Sequence, residues 1–352
     1  MKSLLQQCAR LKTGLMSITS VMLLFFIAGC NKAIEIPPTA KVSTVAMGLV
    51  APMGIETDNA GNIWVAEPGT SNNDGKVVLV MCRPQKNSKS YASSYDAIIN
   101  LSSIKNAGSG ETEGPANLIF DKGMLYILAG DFLYKANVSS FKPSDAPIDG
   151  SKLPYEDIGT YVRSLNIVTP NDSHPYNMMV GPDGDIYITD AGANAIIHRK
   201  SAGHYSVLAE FPNFANPTPI GPPQVQSVPT GIIFDGHDFL VSTLTGFPFV
   251  QGVATIYKVS LSGKVSVYQS GLSTLVNIAE GGFYGHLVLH YGSFAMTGAP
   301  NPNTGSLMVV DGSKSTTIAD GLNMPVGIKQ INNQSWYVSS MGDGTILKVE
   351  FD

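Results

Sequence analysis

One phrase recurs six times along this chain, and that recurrence limits the folds open to it more than any other feature. Anchored on Pro-x-Gly-Ile, it reads "PMGI" at 52, "PANL" at 115, "PYNM" at 175, "PTGI" at 229, "LVNI" at 275 and "PVGI" at 325, at intervals of 46 to 63 residues. After each comes a turn and an apolar run: "GNIWVAEPG", "GMLYILAGD", "GDIYITDAG", "HDFLVSTLTG", "GHLVLHYG" and "QSWYVSSMG". Several units add a third run, such as "KVVLV", "ATIYKV" and "TILKVEF", and a fourth before the next phrase. Four short strands per unit of about 40 to 50 residues is the pattern of a β-propeller blade, so six units predict an all-β, six-bladed propeller.

A ring must join its first blade to its last or leave a sheet edge open to pairing with other chains. The segment "KVSTVAMGL" (41–49) has the nine-residue frame of the outer-strand segments "KVSVYQSGL" (264–272) and "KSTTIADGL" (314–322): Lys first, Gly eighth, Leu ninth. No three strands precede it, and the last unit, from Asn323 to Asp352, has three strands and no fourth. Residues 41–47 are therefore expected to complete the sixth blade, which makes the twin phrases at 52 and 325 neighbouring inner strands. Two insertions interrupt the repeat: a Ser-, Lys- and Gly-rich stretch at 83–113 that includes the strand "DAIINL", and 141–172, with a helical or strand segment around "EDIGTYVRSL".

Ahead of the ring, Lys2, Arg10 and Lys12 precede an apolar run from Leu15 to Ile27 that closes in "IAGC". The run is too short to span a bilayer, and its order of charged, apolar and small residues is that of a secretory signal. The last four residues resemble the lipobox of bacterial lipoproteins, which implies a signal peptide at 1–29, acylation of Cys30 as the first mature residue, and a linker at 30–40 stiffened by Pro37 and Pro38. Asn31, rather than Asp, follows the Cys, so outer-membrane sorting within the cell envelope is expected. Cleavage removes three basic side chains and no acid, leaving 19 Lys+Arg against 27 Asp+Glu, a net of −8. Nucleic acid is an unsuitable partner for that charge. Cys8 leaves with the signal and Cys30 is acylated, so Cys82 has no intramolecular disulfide partner.

The anchor columns form an internal alignment. The Gly column holds Gly54, Asn117, Asn177, Gly231, Asn277 and Gly327, all residues that tolerate positive φ, which suggests a left-handed or bulged backbone position. One residue earlier stand Met53, Ala116, Tyr176, Thr230, Val276 and Val326. Six-bladed gluconolactonase-type propellers, which look similar at the fold level, hold a divalent metal near this column. Without a carboxylate there, no metal and no cofactor is expected. At the ends of the second strands the column reads Glu67, Ala129, Asp190, Thr243, Tyr291 and Ser340. Glu67 and Asp190 there fit either an acid–base pair or carboxylates capping turns. His174 and His290 are the histidines best placed for chemistry, yet no nucleophile elbow, zinc-binding H-E-x-x-H or phosphate loop accompanies them.

The run "VPTGIIFDGHDFLVSTLTGFPFVQGVATIYKV" (228–259), with "DSHPYNMMVGPDGDIYITDAGAN" and "GLNMPVGI", resembles the ScyD/ScyE family of exported bacterial propellers over about residues 41–352. "LTGFPF" is the specific part; "GPDGDIYITDAGAN" is shared with NHL-type repeats. The chain departs from the family at His174, where Asn is common, and at His290, where an acid is often found. The resemblance implies the fold and export and supplies no catalytic activity.

These features together describe a lipid-anchored binding or scaffold propeller whose partner is a small molecule or a protein. The alternative is a lyase or lactonase-like hydrolase using His174, His290, Glu67 or Asp190. The expected binding face gathers Glu67, His174, Tyr176, Asp190, Thr245, Phe247, Phe249, His290, Tyr291 and Phe294. There the loops 212–227, 245–252 and 290–305 should meet, with Phe211 and Phe214 adding to their aromatic character.

Overall fold

The structure, a computed structural model, describes residues 40–81, 92–106 and 110–351. The signal segment, Cys30, the linker before Ala40, and Cys82 lie outside the described residues. From the axis outward, blade 1 comprises Ile55–Thr57, Ile63–Glu67, Gly75–Met81 and Ser93–Leu101, and blade 2 Pro115–Asp121, Met124–Ala129, Phe132–Asn137 and Tyr155–Asp157. Blade 3 is Pro175–Val180, Ile186–Asp190, Ala195–Ser201 and His204–Glu210; blade 4 is Pro229–Phe234, Phe239–Thr243, Ala254–Val259 and Val265–Leu272. Blade 5 is Leu275–Glu280, His286–His290, Gly305–Val310 and Ser315–Leu322. Blade 6 takes Pro325–Asn332, Ser335–Ser340 and Thr345–Phe351 from the end of the chain and Ala40–Met47 from its start.

The closure is antiparallel, with Ala40 opposite Phe351 and Met47 opposite Thr345. The shared nine-residue frame has a structural reason. Gly48, Gly271 and Gly321 turn the chain at φ of 80°, 80° and 71°, and Leu49, Leu272 and Leu322 behind them are buried. Only glycine takes that conformation without steric cost.

Burial follows radial position. Second strands lie in the middle of each sheet with a neighbouring blade on either face, so Ile63–Glu67, Ile186–Asp190 and Phe239–Thr243 are buried at every residue. This is why their sequences read as unbroken apolar runs. Outer strands such as Val265–Leu272 meet solvent on one face. Aromatic contacts fill the wedges between blades: Trp64 stacks on Phe120 at 6.4 Å, and Tyr187 meets Phe239 at 4.5 Å.

Hydroxyls tie blade to blade near the axis. Thr189 donates to the Thr230 carbonyl, Thr230 to that of Leu275, and Ser339 to that of Met53. These bonds sit where the inner strands bulge, the pairing slipping between Pro115 and Asn117, Pro175 and Asn177, and Leu275 and Asn277. The bulge at the Gly column is therefore present, whereas the left-handed backbone is not: no residue of that column has positive φ. Glycine stands there because the adjoining inner strand comes too close. A Cβ on Gly54 would lie 2.6 Å from the Ala116 carbonyl oxygen, and one on Gly231 2.6 Å from the Asn277 Cα. Positive φ falls three residues earlier, at Ala51, Val228 and Met324 immediately before the anchor prolines, and at Thr274 before Leu275.

Of the insertions, 92–106 contains the expected strand, and "EDIGTYVRSL" divides into the outer strand of blade 2 and a helix, Ile158–Leu165. Asp157 caps that helix by accepting from the Thr160 N–H at 2.9 Å, and Arg163 holds Asp131 through two bonds. Ile148–Asp149, which the repeat pattern does not reveal, pairs in parallel with the edge of blade 1.

Candidate functional site at the upper mouth

Connections from outer to next inner strand, and from second to third strand, open on one face, called upper here. They are stitched in pairs: Ala191 N–H to the His174 carbonyl, Leu244 to Val228, Tyr291 to Thr274 and Met341 to Met324. This stitching corrects one column. Leu275 pairs with His290 as Pro175 pairs with Asp190 and Pro229 with Thr243, so His290, and not Tyr291, ends the second strand of blade 5.

Glu67 and Asp190 are fully buried, and each is held within its own part of the ring. Glu67 accepts from the Val50 N–H at 2.9 Å and pairs with Lys76 at 3.2 Å. Asp190 accepts from the Ser173 hydroxyl at 2.6 Å, the His174 N–H at 2.7 Å and the Ala193 N–H at 2.8 Å. Burial pushes the Asp190 carboxyl up, against the pull of those donors. Asp190 caps the turn that follows it, Glu67 instead ties the entry to blade 1 to its third strand through Val50 and Lys76, and these contacts do not join the two into an acid–base pair. His174, just before the inner strand of blade 3, reaches Glu113, on the connection from blade 1 into blade 2, at 3.3 Å, and Asn106 also donates to Glu113.

Blades 3 to 5 surround a different set of groups. Burial raises the Tyr176 hydroxyl pKa, with Tyr291 and Glu111 adding to the shift. Burial, then Glu111, pushes Tyr291 up to about 12. His290 Nδ1 lies 3.3 Å from the Ser306 hydroxyl, while its Nε2 is buried with no hydrogen-bond partner. Burial lowers its pKa, opposed in part by Asp320, so the ring is neutral at pH 7. Thr245, at φ 74° and 1% exposed, also has a buried hydroxyl with no partner. Native proteins pair most such groups, so an unpaired one has a functional or structural cause.

Outside this set lies an aromatic shelf. Tyr291 and Phe294 stack at 5.7 Å, Phe294 and Phe249 at 4.2 Å, and Phe247 meets Phe249 edge-on at 6.1 Å. Positions Gly221 and Gly298 flank the Phe247 ring, which brings the three loops of blades 4 and 5 together. Phe247 is 39% exposed. Phe211 is not part of the shelf: it is buried against Tyr257 at 5.2 Å, in the core between blades 3 and 4. Phe214 is half-buried in the short ribbon it forms with Val225.

Below the mouth, a cavity of about 430 Å³ runs along the axis, with Asn117, Asn177 and Asn277 among its lining and Glu56, Glu280 and Lys329 further down. Asn177 reaches Asn277 at 3.4 Å across Gly231, and Asn277 also donates to the Val326 carbonyl. Sequence columns identified the three asparagines but not this bridge. Among the described residues, one group of metal-type ligands gathers, on the lower face: Asp183, Asp185 and His198. Asp185 bonds His198 at 2.8 Å and Asp183 accepts from the Tyr187 hydroxyl at 2.8 Å, so these groups already satisfy one another.

The sequence matches no family model and no curated protein. Solved structures do match. The chain is similar to a streptogramin B lyase, at 13% identity and a TM-score of 0.52 over 90% of this chain and 100% of that one. It is also similar to the PQQ-bound aldose sugar dehydrogenase of Streptomyces coelicolor, at 14% identity and a TM-score of 0.56 over 90% and 99%. A putative gluconolactonase matches at 10% identity and a TM-score of 0.51 over 91% and 94%. At such identities these likenesses establish the propeller fold and nothing narrower.

Proposed function

We propose that this protein is a ligand-binding propeller held at the bacterial cell envelope by a lipid on Cys30, and that it captures a small molecule at the upper mouth of blades 3 to 5. The observation that carries the reading is the pair of buried, unpartnered polar atoms, His290 Nε2 and Thr245 Oγ1, beside an aromatic shelf whose outermost ring is exposed. A ligand with a flat apolar part and a hydrogen-bonding edge satisfies both features. The loops 212–227 and 290–305 contain several prolines, which limits the ordering cost when a ligand docks.

A thermal-shift screen of small cyclic and aromatic compounds against the wild type, His290→Gln and Phe247→Ala tests this. Compounds that stabilise the wild type and lose most of that effect in both variants are expected. A screen without such compounds, or hits that stabilise all three proteins equally, overturns the reading.

The second reading is an enzyme, and one observation favours it: a neutral imidazole with a free nitrogen is competent as a general base. The two carboxylates that the sequence offers as partner acids, Glu67 and Asp190, are engaged elsewhere. Turnover of any screening hit that disappears in His290→Gln, with binding retained, would select this reading.

A further inference from the structure

The lower face has its own chemistry, and the place where the chain joins the ring gives that chemistry a direction. Ala40 pairs with Phe351 at the lower end of blade 6. The ten residues back to Cys30 span at most about 36 Å when fully extended. Against Phe351 packs Tyr284, with ring centroids 5.0 Å apart. Tyr284 belongs to the turn Gly281–Gly285 at the lower end of blade 5, and its neighbour Phe283 is 70% exposed. This turn is wedged in place, since a Cβ on Gly282 would lie 2.3 Å from the Asn333 carbonyl oxygen in the adjoining turn of blade 6. Ile331 and Val42, on the strands that flank this spot, are 38% and 40% exposed. The two turns, "GGFYG" (281–285) and "NQ" (333–334), contain no charge.

Apolar exposure alone does not choose a face, because Phe247 and Met296 are exposed above. Charge does. The upper connections outside the helix contain one cation, Lys105, against Asp74, Glu111, Glu113, Asp131, Asp172 and Asp343. Such a face is repelled by anionic headgroups, whereas the two lower turns carry no charge of their own, and of the charges on the strands beside them Glu350 is paired with Lys348 and stands opposite Lys41. Aromatic side chains on rigid turns partition into the membrane interface.

We propose that the lower corner of blades 5 and 6 seats on the lipid bilayer through Phe283, flanked by Ile331 and Val42, so that the upper mouth points away from the membrane. The proposal rests on the acylation of Cys30. It is tested with the full-length protein purified from membranes and reconstituted into phosphatidylethanolamine–phosphatidylglycerol vesicles carrying brominated acyl chains. Native Trp64 and Trp336 are buried, so a tryptophan placed at the surface is the reporter of bromine contact. The Phe283→Trp protein is expected to lose most of its added fluorescence relative to unbrominated vesicles, and Phe247→Trp to keep its own. If the protein floats with vesicles and its N-terminal mass shows acylation, yet Phe283→Trp is unquenched or Phe247→Trp is quenched instead, the orientation is wrong and the anchor stands. An unmodified N-terminus with no flotation overturns the anchor and the seating together.

Discussion

The Ser339 hydroxyl donates to the Met53 carbonyl at 2.6 Å and accepts from the Gly327 N–H at 2.7 Å. One side chain thus links the last inner strand to the first. The contact spans 286 residues of sequence, and its Gly327 N–H end is buried. Replacing Ser339 by Ala leaves the Gly327 N–H and Met53 carbonyl short of a partner. The expected cost is about 1–3 kcal/mol in urea unfolding, with the secondary structure content by circular dichroism unchanged. A loss within error of zero would mean that other contacts alone hold the seam.

Removing residues 40–47 exposes the edge of Thr345–Phe351 and uncovers Ile346 and Val349, both buried in the intact ring. An open edge with apolar neighbours invites pairing between chains. The deletion variant is expected to melt earlier and to sediment as dimers or larger species at concentrations where the parent is a single species. Equal melting and equal sedimentation would contradict the role of this strand as the seal.

Gly54 separates two accounts of its column. Were the position left-handed, Asn would serve almost as well as Gly. Because the obstacle is the Ala116 carbonyl and Asn117 Cα at 2.6 and 2.7 Å, Gly54→Asn should destabilise at least as much as Gly54→Ala. Each should cost about 1–3 kcal/mol from overpacking. An Asn variant close to wild-type stability would restore the conformational account.

Half-buried His290, with its Nε2 enclosed, gives a pH slope of known sign. Its folded pKa lies below the ordinary value of 6.5, so below that pH the unfolded chain binds the proton first. Its contribution to stability is present above pH 6.5 and is lost as pH falls through the lowered folded pKa. His286, also lowered by burial, acts in the same sense. Unfolding free energies measured from pH 7.5 to 4.5 should therefore fall less steeply for His290→Gln than for the wild type. Parallel curves would show that the imidazole charges without cost in the folded ring.

The blades were legible because each solves the same burial problem: second strands covered on both faces must be apolar throughout, and that pattern survives every insertion. The closure was legible for a local reason, the Gly48, Gly271 and Gly321 turn with its buried Leu. What the pattern hid is set by bulges and by neighbours in space. The column of second-strand ends took Tyr291 where pairing puts His290, because the residues between that end and the next glycine vary from none after Ala129 to two after Thr243 and give no fixed ruler for the strand end. At the inner strands the column was expected to be left-handed or bulged; the bulge is there, and what selects glycine at 54, 231 and 327 is the approach of a strand from the next blade. Likewise Phe211 reads as a loop aromatic until Tyr257, 46 residues on, closes over it.

The shared sixth blade also sets an order in time. Strand 40–47 emerges early and its partner 345–351 some 300 residues later, so the pairing with the greatest sequence separation is the one that completes the ring. Until then, the first strand has an unsatisfied edge, and every blade before the sixth is held by neighbours on an open arc. Closure converts that arc into a structure in which no blade can leave without breaking two interfaces. Truncation near residue 345 would therefore remove more than one strand: it would return the whole ring to the open arc that precedes closure.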